Sequence, residues 1–226
     1  MCGRYALYSP KVEIESHFEA PFRDEDEYTP SWNIAPGSFN PVALLGKARV
    51  AGIAPMRWGL VPGFAKDSNI GFSMINARSE TIDEKPSFSK PFQRKRCLIP
   101  ANGFYEWKNP EGTKIKIPFY IRLIHTELFA FAGIFDFWKS DSGEELFTYT
   151  IITTKANPLL EPLHERMPVI LEPYQYKEWL NPINNDVDLL KSYLKPYPMQ
   201  KMRVFRVSDL VNKTANNSSE LIQPFV

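Results

Sequence analysis

The chain has 226 residues, 43% hydrophobic and 14% aromatic, with 27 Lys and Arg against 26 Asp and Glu and a formal net charge of +1. That length supports one large domain, or two small ones, with a real core. The near-neutral total gives no sign of a general nucleic-acid binder, and no apolar run approaches the roughly 18 residues of a membrane-spanning helix. The first residues lack the basic and apolar regions of a secretory signal. A cytoplasmic or nuclear location is expected, with Cys2 and Cys97 as thiols.

In chain order, Ser9 and Pro10 before "KVEIESHF" predict a capped helix opening. Residues 21–36 read as loop. "PVALLGK" and "RVAGIAPMRWGL" predict a hairpin turning near Lys47. "RCLIPA", "GFYEW", "PFYIRLIH", "LFAFAGIFDFW" and "LFTYTIITT" continue the strand signal in β-branched and aromatic residues. "KNPEG" and "SDSG" are turns between them. "EPYQYKEWL" and "DVDLLKSYL" read as helices, "RVFRVS" as a last strand, and "VNKTANNSSE" as a polar loop. No repeat and no dividing linker is visible. The reading is a single α+β domain over residues 1–226: a curved, mostly antiparallel sheet or open β-barrel with a few peripheral helices.

Cys2 stands directly behind the first methionine. If Met1 is removed, Cys2 carries a thiol and a primary amine on neighbouring carbons, and this 1,2-aminothiol has chemistry closed to an internal cysteine. Strand alternation in "GFYEWK" sends Glu106 to the face opposite Tyr105 and Trp107. That face is either solvent, which makes Glu106 an ordinary carboxylate, or a cleft, which makes it an acid or base with a raised pKa. His164 lies in a connection, "LHERMP", whereas His17 and His125 read as structural or exposed. Asn76 and Arg78 share one side of "MINARSE". They could orient a carbonyl and hold a phosphate, or form a local hydrogen-bond network. "WNIAPG" and "RWGLVPGF" are stiff aromatic loops suited to base stacking or, more commonly, to packing. Lys90, Arg94, Lys95 and Arg96 form a basic cluster that reads as an anion-binding face or a solvated loop. No metal-ligand spacing and no phosphate loop is present, so neither metal nor cofactor is expected. Cys97 reads as a small core residue.

Several ordered blocks are similar to those of the SOS response-associated peptidase (SRAP) family: "MCGRY", "WNIAPG", "RWGLVPGF", "INARSET", "CLIPANGFYEWK", "HERMPVIL", "VSDLVNKT" and "ELIQP". The resemblance runs from residue 2 to about residue 224 and is weakest near 180–202. It implies the SRAP fold and recognition of abasic sites in single-stranded DNA, including at junctions with duplex, by a monomer crosslinking through Cys2. Asn76, Glu106 and His164 match the active-site trio around that nucleophile. Arg4, Arg78 and Arg166 match positions associated with the DNA backbone, and Asn33 and Pro36 match a loop lining the DNA. Where the family often has two adjacent aromatics as a wedge beside the lesion, this chain reads Gly63-Phe64-Ala65, leaving Phe64 alone. The peptidase in the family name fits removal of Met1 or a short leader, and a weak lyase side reaction is compatible. The competing readings are an N-terminal-nucleophile cysteine hydrolase and a non-covalent reader of modified bases.

Overall fold

The computed structural model describes residues 2–23, 27–46, 49–110, 113 and 115–225. Among them the chain forms β1 (Tyr5–Leu7), α1 (Lys11–Phe18), β2 (Ser31–Ile34), β3 (Phe39–Leu45), β4 (Ala51–Trp58), β5 (Asn76–Arg78) and α2 (Pro86–Arg94). There follow β6 (Arg96–Ala101), β7 (Gly103–Lys108), β8 (Ile117–Leu123), β9 (Phe129–Lys139), β10 (Glu145–Lys155), β11 (Arg166–Pro168) and β12 (Ile170–Leu171). The last elements are α3 (Pro173–Leu180), α4 (Val187–Ser192) and β13 (Met202–Arg206), and short 3₁₀ turns interrupt the loops.

Five of these strands close a ring. β10 pairs antiparallel with β9 on one edge and parallel with β4 on the other, and β4–β3, β3–β6 and β6–β9 complete the circuit antiparallel. Closure leaves no free sheet edge in the ring. The expected barrel is therefore present and shut, because β10 is long enough to serve both neighbours. β5 extends the parallel lane on β10, and β11 and β12 lengthen β10 and β9. A second sheet, in the order β13–β8–β7–β1–β2, is antiparallel throughout.

The second sheet lays its inner face on the barrel. Tyr5 meets Trp58 and Phe131 edge-on at 5.2 and 5.8 Å, and its hydroxyl bonds that of Tyr149 at 2.8 Å. The outer face gathers Ala6, Tyr105, Tyr120, Val207, Val211 and Leu221 into a smaller core beneath the C-terminal segment. Alternation along β7 thus divides its side chains as the sequence predicts: Tyr105 and Trp107 face outward, and Glu106, 3% exposed, is buried on the other side.

Several details depart from expectation. β2 lies inside the segment read as loop and pairs with β1. α2 occupies the basic stretch despite an internal proline, Pro91, and buries Phe88, Pro91 and Phe92. Pro10, not Ser9, stands at the α1 N-cap, because the Ser9 hydroxyl accepts from Asn102 Nδ2 at 2.8 Å. The basic cluster is split: Lys90 and Arg94 are exposed, and Arg96 is not. Arg96 is buried and donates to the carbonyls of Phe92, Gln93, Trp179, Asn181 and Asn184. These are carbonyls near the ends of two helices, left without intrahelical partners. The β3–β4 hairpin forms with Leu45 opposite Ala51, and Lys47 itself lies outside the described residues. Glu111 and Gly112 of the "KNPEG" turn also lie outside them.

Candidate active site

Cys2 precedes β1 and is fully buried. Two neighbouring elements reach it. The β1–β7 pairing, Tyr5 opposite Phe104, continues with Tyr105 N–H on the Arg4 carbonyl at 3.0 Å, and so carries Glu106 beside the chain's first residues. The β5–β10 pairing, Asn76 opposite Ile151, presents Asn76, whose Nδ2 donates to the Cys2 carbonyl at 2.9 Å. Asn76 Oδ1 is buried and accepts no hydrogen bond among the described residues. It is a buried acceptor with its capacity unspent, on the amide that holds Cys2.

Burial and then the nearby Glu106 charge push the Cys2 thiol up from its ordinary value. The thiol is therefore held protonated at neutral pH, with a carboxylate at hand to take its proton. Burial also raises Glu106, to about 7. A carboxyl group at that value can donate and accept a proton in one cycle at neutral pH.

His164 is half-buried, and burial lowers its pKa. Its Nδ1 accepts the Arg166 backbone N–H at 3.0 Å. The neutral ring consequently carries its proton on Nε2 and presents a donor there.

The residues expected at the DNA fall into two groups. Arg78 and Phe64 are exposed and Pro36 is half-exposed. Arg4, Asn33 and Arg166 are already engaged within the protein. Arg4 donates to Asn33 Oδ1 at 2.6 Å and to the Val211 carbonyl at 2.9 Å. Asn33 Nδ2 donates to the Val211, Lys213 and Asn216 carbonyls, fastening residues 211–216 to β2. Arg166 forms a two-pronged pair with Glu80 at 2.6 and 2.8 Å and also reaches the Thr153 carbonyl. Beside Arg78 and Arg166 lies a depression of about 420 Å³ that also takes in Lys155.

Sequence reasoning missed Glu80, Lys155 and Phe72. Phe72 is 63% exposed on the same β4–β5 connection as Phe64, at 68%. Its ring would lie 3.1 Å from a side chain at Gly37, which places it against the "WNIAPG" loop. Its signal was only an aromatic after glycine, ahead of the strand that carries Asn76. Phe64 and Phe72 are thus two exposed aromatics eight residues apart on one connection.

The sequence profile of the SOS response associated peptidase (SRAP) family matches residues 1–214. The chain belongs to the SRAP family. It is 50% identical over 224 residues to the abasic site processing protein YoqW of Bacillus subtilis, covering 99% of each. It is 35% identical over 273 residues to the abasic site processing protein HMCES of Pongo abelii, covering 99% of this chain and 76% of that one. In structure it is similar to a crystallised protein of Bacteroides thetaiotaomicron, with a TM-score of 0.88, 28% identity and complete coverage of both chains. This SRAP member therefore has the family's α+β fold, and Cys2, Asn76 and Glu106 converge in it at one buried point.

Proposed function

We propose that the protein captures abasic sites in single-stranded DNA by forming a thiazolidine between the lesion's aldehyde and a processed Cys2. The observation that carries the reading is the company of Cys2: its carbonyl held by Asn76, and Glu106, with a pKa of about 7, buried beside its thiol. The names of the relatives, abasic site processing proteins, support the same substrate. The peptidase step is removal of Met1, which frees the α-amine. Location is cytoplasmic, the acting form is a monomer, and preference for a junction rests on Phe64 and Phe72 acting as stacking surfaces.

The chemistry balances without a cofactor. The closed sugar opens when its C1′–O4′ bond breaks: the proton leaving the C1′ hydroxyl is relayed through water to the ring oxygen, which is oriented by a hydrogen bond from His164 Nε2–H and ends as the O4′ hydroxyl. The Cys2 amine, whose ordinary pKa is about 7.7–8.0, adds to the aldehyde carbon. Protonated Glu106 donates to the departing hydroxyl, water leaves, and an iminium remains. The Cys2 sulfur then bonds the same carbon while its proton passes to the Glu106 carboxylate. One aldehyde and one aminothiol have become a five-membered ring and one water. The thiol is held protonated, so the amine attacks first and the sulfur second. Asn76 fixes the Cys2 backbone through Nδ2 and offers Oδ1 to the new amine. Ring closure within one residue draws on the large effective molarities of oriented intramolecular reactions, about 10⁵ M or more.

The test is direct. Mass spectrometry establishes whether Met1 is absent, and a denaturing gel follows an abasic oligonucleotide mixed with the protein. A shifted band from protein ending in Cys2, and none from an intact-base control, is the expected result. A protein with a free Cys2 terminus that leaves the abasic strand unshifted overturns the reading.

A further inference from the structure

The loop that carries Phe64 is held by the barrel at every second residue. The Val61 N–H donates to Thr148 Oγ1 at 2.8 Å. The Gly63 N–H donates to Asp136 Oδ2 at 2.9 Å. The Ala65 carbonyl accepts the Trp138 indole N–H at 2.7 Å, and a turn from Pro62 to Ala65 closes the loop. The three anchoring side chains come from adjacent strands, β9 for Asp136 and Trp138 and β10 for Thr148. Thr148 and Asp136 stand directly opposite each other in that pairing.

Val61, Trp138 and Leu146 make a small buried core under the loop, with Ala65 packed against it. Between Val61 and Ala65, Phe64 is left 68% exposed. A Cβ at Gly63 would sit 3.0 Å from the Phe137 carbonyl oxygen, a tight contact that a larger residue could make only if that backbone shifted slightly.

Asp136 is the keystone of this frame. It is buried, yet its carboxylate has three partners: the Gly63 N–H, the Phe137 N–H and the Lys95 ammonium. Lys95, one member of the basic cluster, thereby balances the charge that grips the loop. A buried carboxylate satisfied this fully is held rigidly.

We infer that Asp136, with Trp138 and Thr148, is a positioning residue that presents Phe64 as a preorganised stacking post for a base beside the lesion. This rests on the abasic-site reading above. A rigid aromatic that contributes stacking without first being ordered binds more tightly than the same ring on a mobile loop.

The experiment is a double-mutant cycle on crosslinking kinetics with a single-stranded abasic oligonucleotide, reading both the half-saturating DNA concentration and the limiting rate. Phe64→Ala is expected to raise the half-saturating concentration about tenfold. Asp136→Ala and Trp138→Phe are expected to raise it about threefold or more. In both, the change falls on half-saturation and not on the limiting rate. Combined with Phe64→Ala, neither adds a further effect. Additive effects, or an unaltered half-saturation in Asp136→Ala and Trp138→Phe, overturn the inference. Should Asp136→Ala fail to fold, Trp138→Phe, which keeps an aromatic ring while losing the indole N–H to Ala65 and the smaller ring of the indole, decides the matter alone. Wild-type protein that forms no crosslink at all counts against the abasic-site reading and not against the frame. In that case protection of the Gly63 amide from hydrogen exchange, lost in Trp138→Phe, tests the frame without DNA.

Discussion

Cys2 and Cys97 are both fully buried, and burial pushes both thiols up. By solvent exposure and acidity they would pass for the same kind of residue. Their surroundings separate them. Cys97 sits mid-strand in β6, opposite Gly133, with its sulfur 3.1 Å from where a Gly133 side chain would begin. Desolvation alone accounts for its shift. Cys2 has a carboxylate acting on its thiol and an amide holding its carbonyl. A buried thiol is inert until a proton acceptor shares its dry space, and this is the difference between the two sites.

The largest effect expected from breaking that contrast is complete loss of product. Cys2→Ser keeps an amine but replaces the sulfur, so its adduct stops at an imine that water reverses. On a denaturing gel it should show no stable crosslink, while Cys97→Ala should crosslink as the wild type does. Borohydride, which reduces an imine to a stable amine, should restore a covalent band to Cys2→Ser. No trapped band would mean that the amine does not attack first.

Next in size is the carboxylate. Glu106→Gln should slow crosslinking by about 10²–10⁴-fold, the usual contribution of a general acid or base. The ionisation near pH 7 should also vanish from its pH–rate profile, since the group responsible titrates at about 7. A profile that keeps that ionisation assigns it elsewhere.

The same residue should affect stability in the opposite direction. Its pKa rises from 4.5 in the unfolded chain to about 7 in the folded protein. Below pH 4.5 the acid is neutral in both states and costs nothing. As pH rises from there to about 7 the unfolded chain ionises first, so folding stability falls, and above that the full cost is present. Glu106→Gln removes the cost. Relative to wild type it should gain roughly 1–3 kcal/mol at pH 8 over its difference at pH 4. Urea melts at the two pH values measure this, and an equal difference at both would show that Glu106 is not held in a desolvated site.

Much of this was legible in the sequence, and the gaps have physical reasons. Alternation in "GFYEWK" separated Glu106 from its aromatic neighbours correctly. It could not say which face is buried, because that depends on the second sheet docking against a barrel closed by β10. β2 was hidden because four residues after a proline-rich stretch carry little periodicity, and only pairing with β1 makes them a strand. α2 was hidden by Pro91, which reads as a breaker. It survives because Phe88 and Phe92 are buried and Arg96 caps its last carbonyls. Arg166 matches a DNA-backbone position in sequence, and its partner within the fold, Glu80, is 86 positions away. Phe72 escaped because a lone exposed aromatic has no pattern.

The smallest effect tests the quiet half of the comparison. Cys97→Ala removes one sulfur from a position where β6 and β9 pack against each other inside the closed ring. The strands on either side are tied by backbone hydrogen bonds and cannot collapse into the space. A void of that size costs on the order of 1 kcal/mol. The loss should appear as a lower urea midpoint with an unaltered slope, and the crosslinking rate on saturating DNA should stay at the wild-type value. A tenfold slower rate in a variant that still melts cooperatively would mean that the barrel interior at Cys97 communicates with Cys2 and that the two thiols are not separate systems. An unchanged rate with the small stability loss would leave Cys97 as packing and the chemistry with the thiol that has Glu106 beside it.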